Sequence, residues 1–106
     1  MLAHMKAILF DMDGVVYNDE QPIPGAAEAI EWVRANNIPH LFVTNTSSRG
    51  RGVLAAKLAR FGIEAGPAEI LTPCVAAAQW LRSQGEGGVA LFVRPAVRAE
   101  FIGLDL

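Results

Sequence analysis

The chain has little of what several classes of protein require. Cys74 is the only cysteine in 106 residues, so no internal disulfide can form and a small disulfide-stabilised secreted protein is excluded. Nine basic residues against eleven acidic ones give a net charge of −2, which argues against the basic stripe of a nucleic-acid-binding surface. No secretory signal or membrane-spanning apolar run occurs. We therefore expect a cytoplasmic protein that binds neither nucleic acid nor membrane.

What the chain does have is apolar sequence arranged in alternating patterns. Hydrophobic residues make up 52% of the chain, enough to build the core of one domain. The pattern predicts strands near residues 6–11, 40–44 and 69–72, and helices near 25–35, 49–61 and 73–81, the last with Thr72 as its N-cap. Such alternation is typical of a parallel sheet with helical crossovers. The glycine-rich residues 85–88 predict a hinge, and residues 89–93 predict a further strand.

Two carboxylates stand two residues apart at the end of the first apolar run. Asp11 and Asp13 follow the predicted strand at the point where the backbone leaves the sheet. In open α/β sheets, ligands bind at this carboxyl end. Paired carboxylates can hold Mg²⁺, or they can divide the roles of nucleophile and general acid. The alternative is an ordinary Asx turn closed by Gly14, which needs no metal.

Hydrogen-bonding side chains follow the second apolar run. Thr44 and Asn45 can donate to the oxygens of a phosphoryl group, which gain charge in the transition state. The same residue types also begin helices, and Ser47 or Ser48 is predicted to cap the helix that follows. That helix is predicted to bury an apolar stripe: Val53, Leu54, Leu58 and Phe61.

Two of these segments resemble a known family. Residues 11–17, Asp-Met-Asp-Gly-Val-Val-Tyr, are similar to motif I of the haloacid dehalogenase (HAD) superfamily, and the Val-Thr-Asn of residues 43–45 is similar to motif II. Residues 22–26 and 69–73 also resemble its NagD-like and p-nitrophenylphosphatase-like subfamily, whose cap domain lies between motifs II and III. The resemblance covers about residues 6–84 and continues more loosely to Leu106.

The resemblance implies a fold. It implies an α/β protein with a three-layer parallel sheet, the Rossmann-like core of the superfamily, present here in incomplete form. Residues 1–84 would be the N-terminal part of this core. Residues 85–106 would be the hinge and the beginning of the cap domain.

The resemblance also implies a chemistry, that of a Mg²⁺-dependent phosphatase acting on a small phosphorylated substrate through an aspartyl-phosphate. Asp11 would be the nucleophile and Asp13 the general acid and base. Both would ligate Mg²⁺, Asp13 through its backbone carbonyl. Thr44 and Asn45 would bind the phosphoryl group. The lysine and the acidic pair of motifs III and IV find no match in this sequence, so the chain by itself is expected to be inactive.

Two alternatives come from other classes of protein. One is a non-catalytic HAD-like module that retains the phosphate and metal pocket. The other is a receiver domain like those of response regulators, which also phosphorylate an aspartate at a strand end but fit the motif less well. Without the strand that carries motif IV, residues 7–10 would have an apolar edge with free backbone groups, which predicts self-association.

Overall fold

The computed structural model describes residues 6–106, so the first five residues of the predicted core lie outside the described part. Two 3-10 segments, Pro67–Glu69 and Pro95–Phe101, accompany the regular elements. Within the described residues, no helix combines the length and apolar character needed to cross a bilayer. The strands are β1 (Ile8–Asp11), β2 (Tyr17–Asn18), β3 (Gln21–Pro22), β4 (His40–Val43) and β5 (Ile70–Leu71), and the α-helices are α1 (Ala26–Ala35), α2 (Arg51–Arg60) and α3 (Pro73–Ser83).

A parallel three-stranded sheet forms the centre of the fold. Its strand order is β1-β4-β5, and the register places Phe10 opposite Phe42 and Phe42 opposite Ile70. Strands β2 and β3 form a separate antiparallel hairpin just after β1. Helices connect the parallel strands, as they must, because a parallel pair cannot be joined by a tight turn. The predicted α/β class and parallel sheet are confirmed.

The main core packs around the central strand β4. Phe42 is fully buried and stacks on Phe10 with ring centroids 5.7 Å apart. Apolar burial of this kind is the largest favourable contribution to folding. The buried members of the cluster are Met12, Val16, Tyr17, Ile30, Phe42, Leu54, Leu58, Ile63 and Ile70.

Helix α2 presents a different face to this core from the one that its apolar pattern predicts. Leu54 and Leu58 are buried as predicted, but Val53 is 58% exposed. Lys57 shares the inner face with the two leucines and is only 6% exposed. The prediction of a buried Val53 is therefore wrong, because a helix has one inner stripe and here a lysine occupies part of it.

The start of α2 also differs from the prediction. The helix begins at Arg51, and neither Ser47 nor Ser48 caps it. Instead, the Arg51 N–H donates to Glu100 Oε1 at 3.0 Å, and the Arg51 Nε–H donates to Glu100 Oε2 at 2.9 Å. A carboxylate suits this position because it satisfies a free backbone donor and complements the positive end of the helix dipole.

Residues 89–93 do not form the predicted strand. Among residues 6–106, the only backbone partner of this segment is the carbonyl of Asp105, which accepts from the Val89 N–H at 2.6 Å next to a single bridge between Gly88 and Asp105. A strand needs a continuous ladder of such bonds, and this segment lacks one within the described residues. Leu91 and Val93 instead pack against a second, smaller cluster: Cys74, Ala78, Val97 and Phe101.

Candidate active site

The three parallel strands end side by side. Asp11 pairs with Val43, and Val43 pairs with Leu71. The alignment continues for one residue beyond the strands, since the Met12 N–H donates to the Val43 carbonyl and the Thr44 N–H to the Leu71 carbonyl, both at 3.1 Å. The residues that follow the strands are thus delivered to one edge of the sheet, the edge at which α/β proteins bind ligands.

A pocket of about 560 Å³ opens at this edge. All four predicted site residues line this pocket. They come from two segments of the chain, and Asp11 and Asn45 are about 34 positions apart in the sequence. The structure therefore brings together both carboxylates and both hydrogen-bonding side chains. The complete lining is Asp11, Asp13, Val43, Thr44, Asn45, Leu71, Thr72, Pro73 and Ala76.

A tight turn carries Asp13 away from the strand and toward the pocket. Gly14 adopts a φ of 81°, which side-chain-bearing residues rarely adopt, and its N–H donates to the Tyr17 carbonyl at 2.7 Å. The Met12 carbonyl accepts from the Val16 N–H at 3.0 Å. Backbone bonds on both sides of Asp13 thus fix its loop, while both Asp11 and Asp13 remain exposed to solvent.

Thr44 is the buried one of the four predicted site residues, with 5% of its surface exposed. Its hydroxyl accepts from the Thr46 N–H and donates to Thr46 Oγ1, both at 3.1 Å. The hydroxyl therefore shapes the turn that presents Asn45. To donate to a ligand, it must turn its proton away from Thr46.

The pocket also includes a residue that sequence reasoning assigned only to a helix cap. Thr72 caps α3 as its position before Pro73 predicts, with its Oγ1 accepting from the Val75 N–H at 3.1 Å. It is also the residue after β5, and so it reaches the same edge as Asp11 and Thr44. The sequence did contain a signal for Thr72 as a site residue, because every parallel strand delivers its next residue to that edge.

The pKa of the Tyr17 phenol responds to the nearby carboxylates, that of Asp13 first among them. Burial of the ring is the main cause that raises the pKa of its phenol, and the carboxylates of Asp13, Asp11 and Glu20 raise it further. Arg49 opposes them. The carboxylates of Asp13 and Asp11 therefore lie close enough to the phenol to act on its pKa.

The donor set suits a hard cation. Asp11 and Asp13 both line this pocket, and a hard divalent cation is commonly held by one or two carboxylates and backbone carbonyls together with waters and substrate phosphates. Within residues 6–106, no group of three histidine, cysteine or acidic residues is placed to hold a metal. Asp11 and Asp13 therefore suit a divalent cation that completes its coordination with water or substrate oxygens.

Comparison with known proteins gives the family. The model of the haloacid dehalogenase-like hydrolases matches residues 8–106. An acid sugar phosphatase of Staphylococcus saprophyticus is 37% identical over 86 residues, which is 81% of this chain and 33% of that protein. NagD of E. coli superposes with a TM-score of 0.83 at 28% identity, covering 92% of this chain and 39% of its own.

A third relative was solved with a divalent cation. Glycerol phosphate phosphatase of Mycobacterium tuberculosis, in complex with calcium, superposes with a TM-score of 0.80 at 31% identity. The alignment covers 94% of this chain and 30% of that structure. The chain thus spans about a third of the length of the curated relatives it matches.

These matches agree with the resemblance carried by the two motifs. The family match extends over nearly all of the described residues, and both motifs lie inside it. The paired carboxylates, Thr44 and Asn45 meet in one pocket. The chain therefore belongs to the haloacid dehalogenase-like hydrolases, in their NagD-like branch.

Proposed function

We propose that the protein containing this chain is a Mg²⁺-dependent phosphatase that hydrolyses a small phosphorylated substrate through an aspartyl-phosphate. The observation that carries this proposal is the meeting of Asp11, Asp13, Thr44 and Asn45 in one pocket at the carboxyl edge of the sheet. Relatives named acid sugar phosphatase and glycerol phosphate phosphatase support the reaction class.

The reaction has two steps. In the first, a carboxylate oxygen of Asp11 attacks phosphorus, the bond from phosphorus to the leaving oxygen breaks, and Asp13 donates its proton to that oxygen. In the second, Asp13 accepts a proton from a water that attacks the phosphorus of the aspartyl-phosphate. Inorganic phosphate then departs, and the Asp11 carboxylate and the protonated Asp13 are restored.

Other residues of the pocket orient the phosphoryl group. The Thr44 hydroxyl and the Asn45 amide donate to its oxygens, which carry the charge of the transition state. Pro73 and Ala76 bring the first turn of α3 to the pocket, and the positive end of a helix dipole favours an anion there. Asp11 and Asp13 would hold Mg²⁺, which supplies positive charge to balance the phosphate.

The test is Asp11→Asn in the full-length protein. An amide cannot serve as the attacking carboxylate but keeps an oxygen ligand, so we expect activity on p-nitrophenyl phosphate to disappear while folding and Mg²⁺ binding persist. Glu28→Gln, on the exposed face of α1, is the matched control. Activity of Asp11→Asn within about tenfold of wild type would remove Asp11 from the nucleophile role.

Asp13→Asn tests the second carboxylate. Loss of the proton donor harms substrates with poor leaving groups most, so we expect a milder defect on aryl than on alkyl phosphates. Equal defects on both substrate classes would count against Asp13 as the general acid. A wild-type protein that binds phosphate with Mg²⁺ but turns over neither substrate would instead support the non-catalytic module.

We also infer that the 106-residue chain has no appreciable phosphatase activity when it is produced alone. The lysine and the acidic pair of the family's later motifs have no match in it, and phosphoryl transfer depends mostly on positioning and charge stabilisation. Turnover by the purified chain that depends on Mg²⁺ and is lost in Asp11→Asn would overturn this inference.

Self-association of the isolated chain is a related proposal. Among the described residues, β1 has a strand neighbour on one side only, and Leu9 in it is 67% exposed. An apolar strand with free backbone groups pairs readily with another chain, and Leu9→Lys should weaken that pairing. A monomer at all concentrations in sedimentation, with β1 amides protected from exchange, would contradict it.

The cytoplasmic location and the domain division after residue 84 stay predictions.

A further inference from the structure

A second pocket lies on the other side of Asp13, with a volume of about 250 Å³. Asp13 lines both pockets, and the second is otherwise formed by the segment around the β2–β3 hairpin, the Thr46–Arg49 loop and the inner face of α2. Tyr17, Leu54 and Lys57 are its most buried side chains, at 1%, 1% and 6% exposed. The proposed general acid thus stands between the phosphoryl pocket and a buried cation.

Lys57 is an unusual residue to find in this position. Its side chain is 7% exposed, and its Nζ lies 3.8 Å from Glu20 Oε1 and 4.1 Å from the centroid of the Tyr17 ring. The first distance exceeds hydrogen-bond range, so within residues 6–106 the ammonium has an ionic and a cation–π contact but no hydrogen bond. Placing most of a lysine side chain in the protein interior with its charge only loosely paired is costly, and methionine would fill the same space without that cost.

Both contacts of Lys57 lead to the loop that carries Asp13. Tyr17 is the first residue of β2, its carbonyl accepts from the Gly14 N–H, and it forms a bridge with Asp13 itself. Glu20 lies in the turn of the same hairpin. The ammonium on α2 therefore contacts the first residue of β2 and the turn that follows β2, and Tyr17 in turn bonds to the loop of Asp13.

We propose that Lys57 is a positioning residue that orients Asp13 toward the leaving oxygen by clamping the Tyr17 ring and the β2–β3 hairpin against α2. This inference rests on the proposed phosphatase activity. It requires the charge of Lys57, because the aliphatic stem alone would pack against Tyr17 without the ionic contact to the hairpin turn.

The experiment compares Lys57→Met with Lys57→Arg in the full-length protein, using p-nitrophenyl phosphate and glycerol phosphate as substrates. For Lys57→Met we expect kcat on glycerol phosphate to fall about tenfold or more and kcat on p-nitrophenyl phosphate to fall less than about threefold, because only the poor leaving group needs the proton. KM should change little on either substrate. Lys57→Arg should restore most of the loss, since it keeps the charge.

Arg60→Met is the matched control. Arg60 lies one turn further along α2 and also approaches Glu20, with Nη2 to Oε2 at 3.7 Å, but its side chain is 63% exposed. It does not line the pocket beside Asp13. The control should therefore leave both substrates close to wild-type rates.

The possible outcomes separate the inference from the function on which it rests. Equal losses on the two substrates in Lys57→Met, or the same loss in Arg60→Met, would overturn the positioning role while leaving the phosphatase intact. If melting experiments show that Lys57→Met is unfolded, Lys57→Gln decides by the same comparison. An inactive wild-type protein would reject the proposed function, and the positioning role with it.

Discussion

Two regions of this chain are held together in different ways. Residues 6–84 contain the three-stranded parallel ladder and the cluster of nine buried residues that includes Phe42. Residues 85–106 contain one isolated bridge, to which the Val89 N–H contributes, and a four-residue cluster shared with α3. The first region is organised by repeated backbone bonds. The second is held by a few side chains that reach back to the first.

This difference predicts which parts of the chain unfold cooperatively and which can open locally. A ladder with a common core unfolds as a unit, whereas a segment docked by a few contacts can open locally. Val97 and Phe101 supply the apolar part of that docking, and Arg82 Nη2 supplies a polar part by donating to the Ile102 carbonyl at 2.8 Å. We therefore expect mutations in the two regions to differ in kind as well as in size.

The largest effect should come from Phe42→Ala. The side chain is fully buried at the centre of the sheet, and such a truncation costs about 3–5 kcal/mol through lost burial and the cavity left behind. We expect the free energy of unfolding measured in urea to fall by that amount, with loss of protection throughout β1 and β4. A loss below about 1 kcal/mol would mean that the ladder does not depend on this core.

Phe101→Ala should weaken only the second region. The docking of residues 85–106 should lose about 3 kcal/mol, since Phe101 is 2% exposed. Hydrogen exchange should then show faster exchange of the Val89 amide while the amides of β4 keep their protection. Phe92→Ala, at a side chain that is 97% exposed in the same region, is the control and should change neither. Loss of protection in both regions would show that they unfold as one.

Glu100→Ala should have a smaller effect on the link between the regions. It removes both hydrogen bonds to Arg51, and the loss of a charged helix cap costs about 1–2 kcal/mol. The side chain of Arg51 is 33% exposed, so water can solvate it afterwards. Exchange of the Arg51 amide should accelerate, whereas Glu86→Ala at an exposed position should leave it unchanged. An Arg51 amide that stays fully protected would mean that another group caps α2.

The smallest effect should be a pH dependence confined to the first region. The folded-state pKa of Tyr17 is raised above its ordinary value of 10.0, so the folded state holds the proton more tightly than the unfolded chain. This contribution to stability is complete below about pH 10 and is lost as the pH rises from there through the folded pKa. Absorbance of the phenolate reports the titration directly, because Tyr17 is the only tyrosine. Tyr17→Phe should flatten the stability profile in that range.

Prediction from sequence succeeded where a local pattern carries the structure. The α/β class and the parallel sheet follow from the alternating apolar runs, and the two motifs at the strand ends line one pocket, while the roles of Asp11, Asp13, Thr44 and Asn45 stay predictions. Predictions that needed knowledge of distant partners failed. No local signal marks Glu100 as the cap of α2, because the pairing joins residues 49 positions apart.

The burial of Lys57 was missed for a related reason. Helical periodicity ranks positions by their apolar character, so it favoured Val53 over a lysine for the inner face. What places the ammonium inside is the Tyr17 ring and the Glu20 carboxylate, which come from a hairpin and not from α2. The predicted strand at 89–93 failed because a strand depends on its neighbour as well as on its own residues.

The pairing of Arg51 with Glu100 also implies that the start of α2 is completed late in folding. During synthesis at about 5–20 residues per second, the first turn of α2 exists for roughly 2–10 s before its acidic partner has been made. Closing so long a loop is entropically costly, so the bond belongs to the late stages of folding. The loop from Thr44 to Gly50, which ends at this turn, would therefore be among the last parts of the pocket to become fixed.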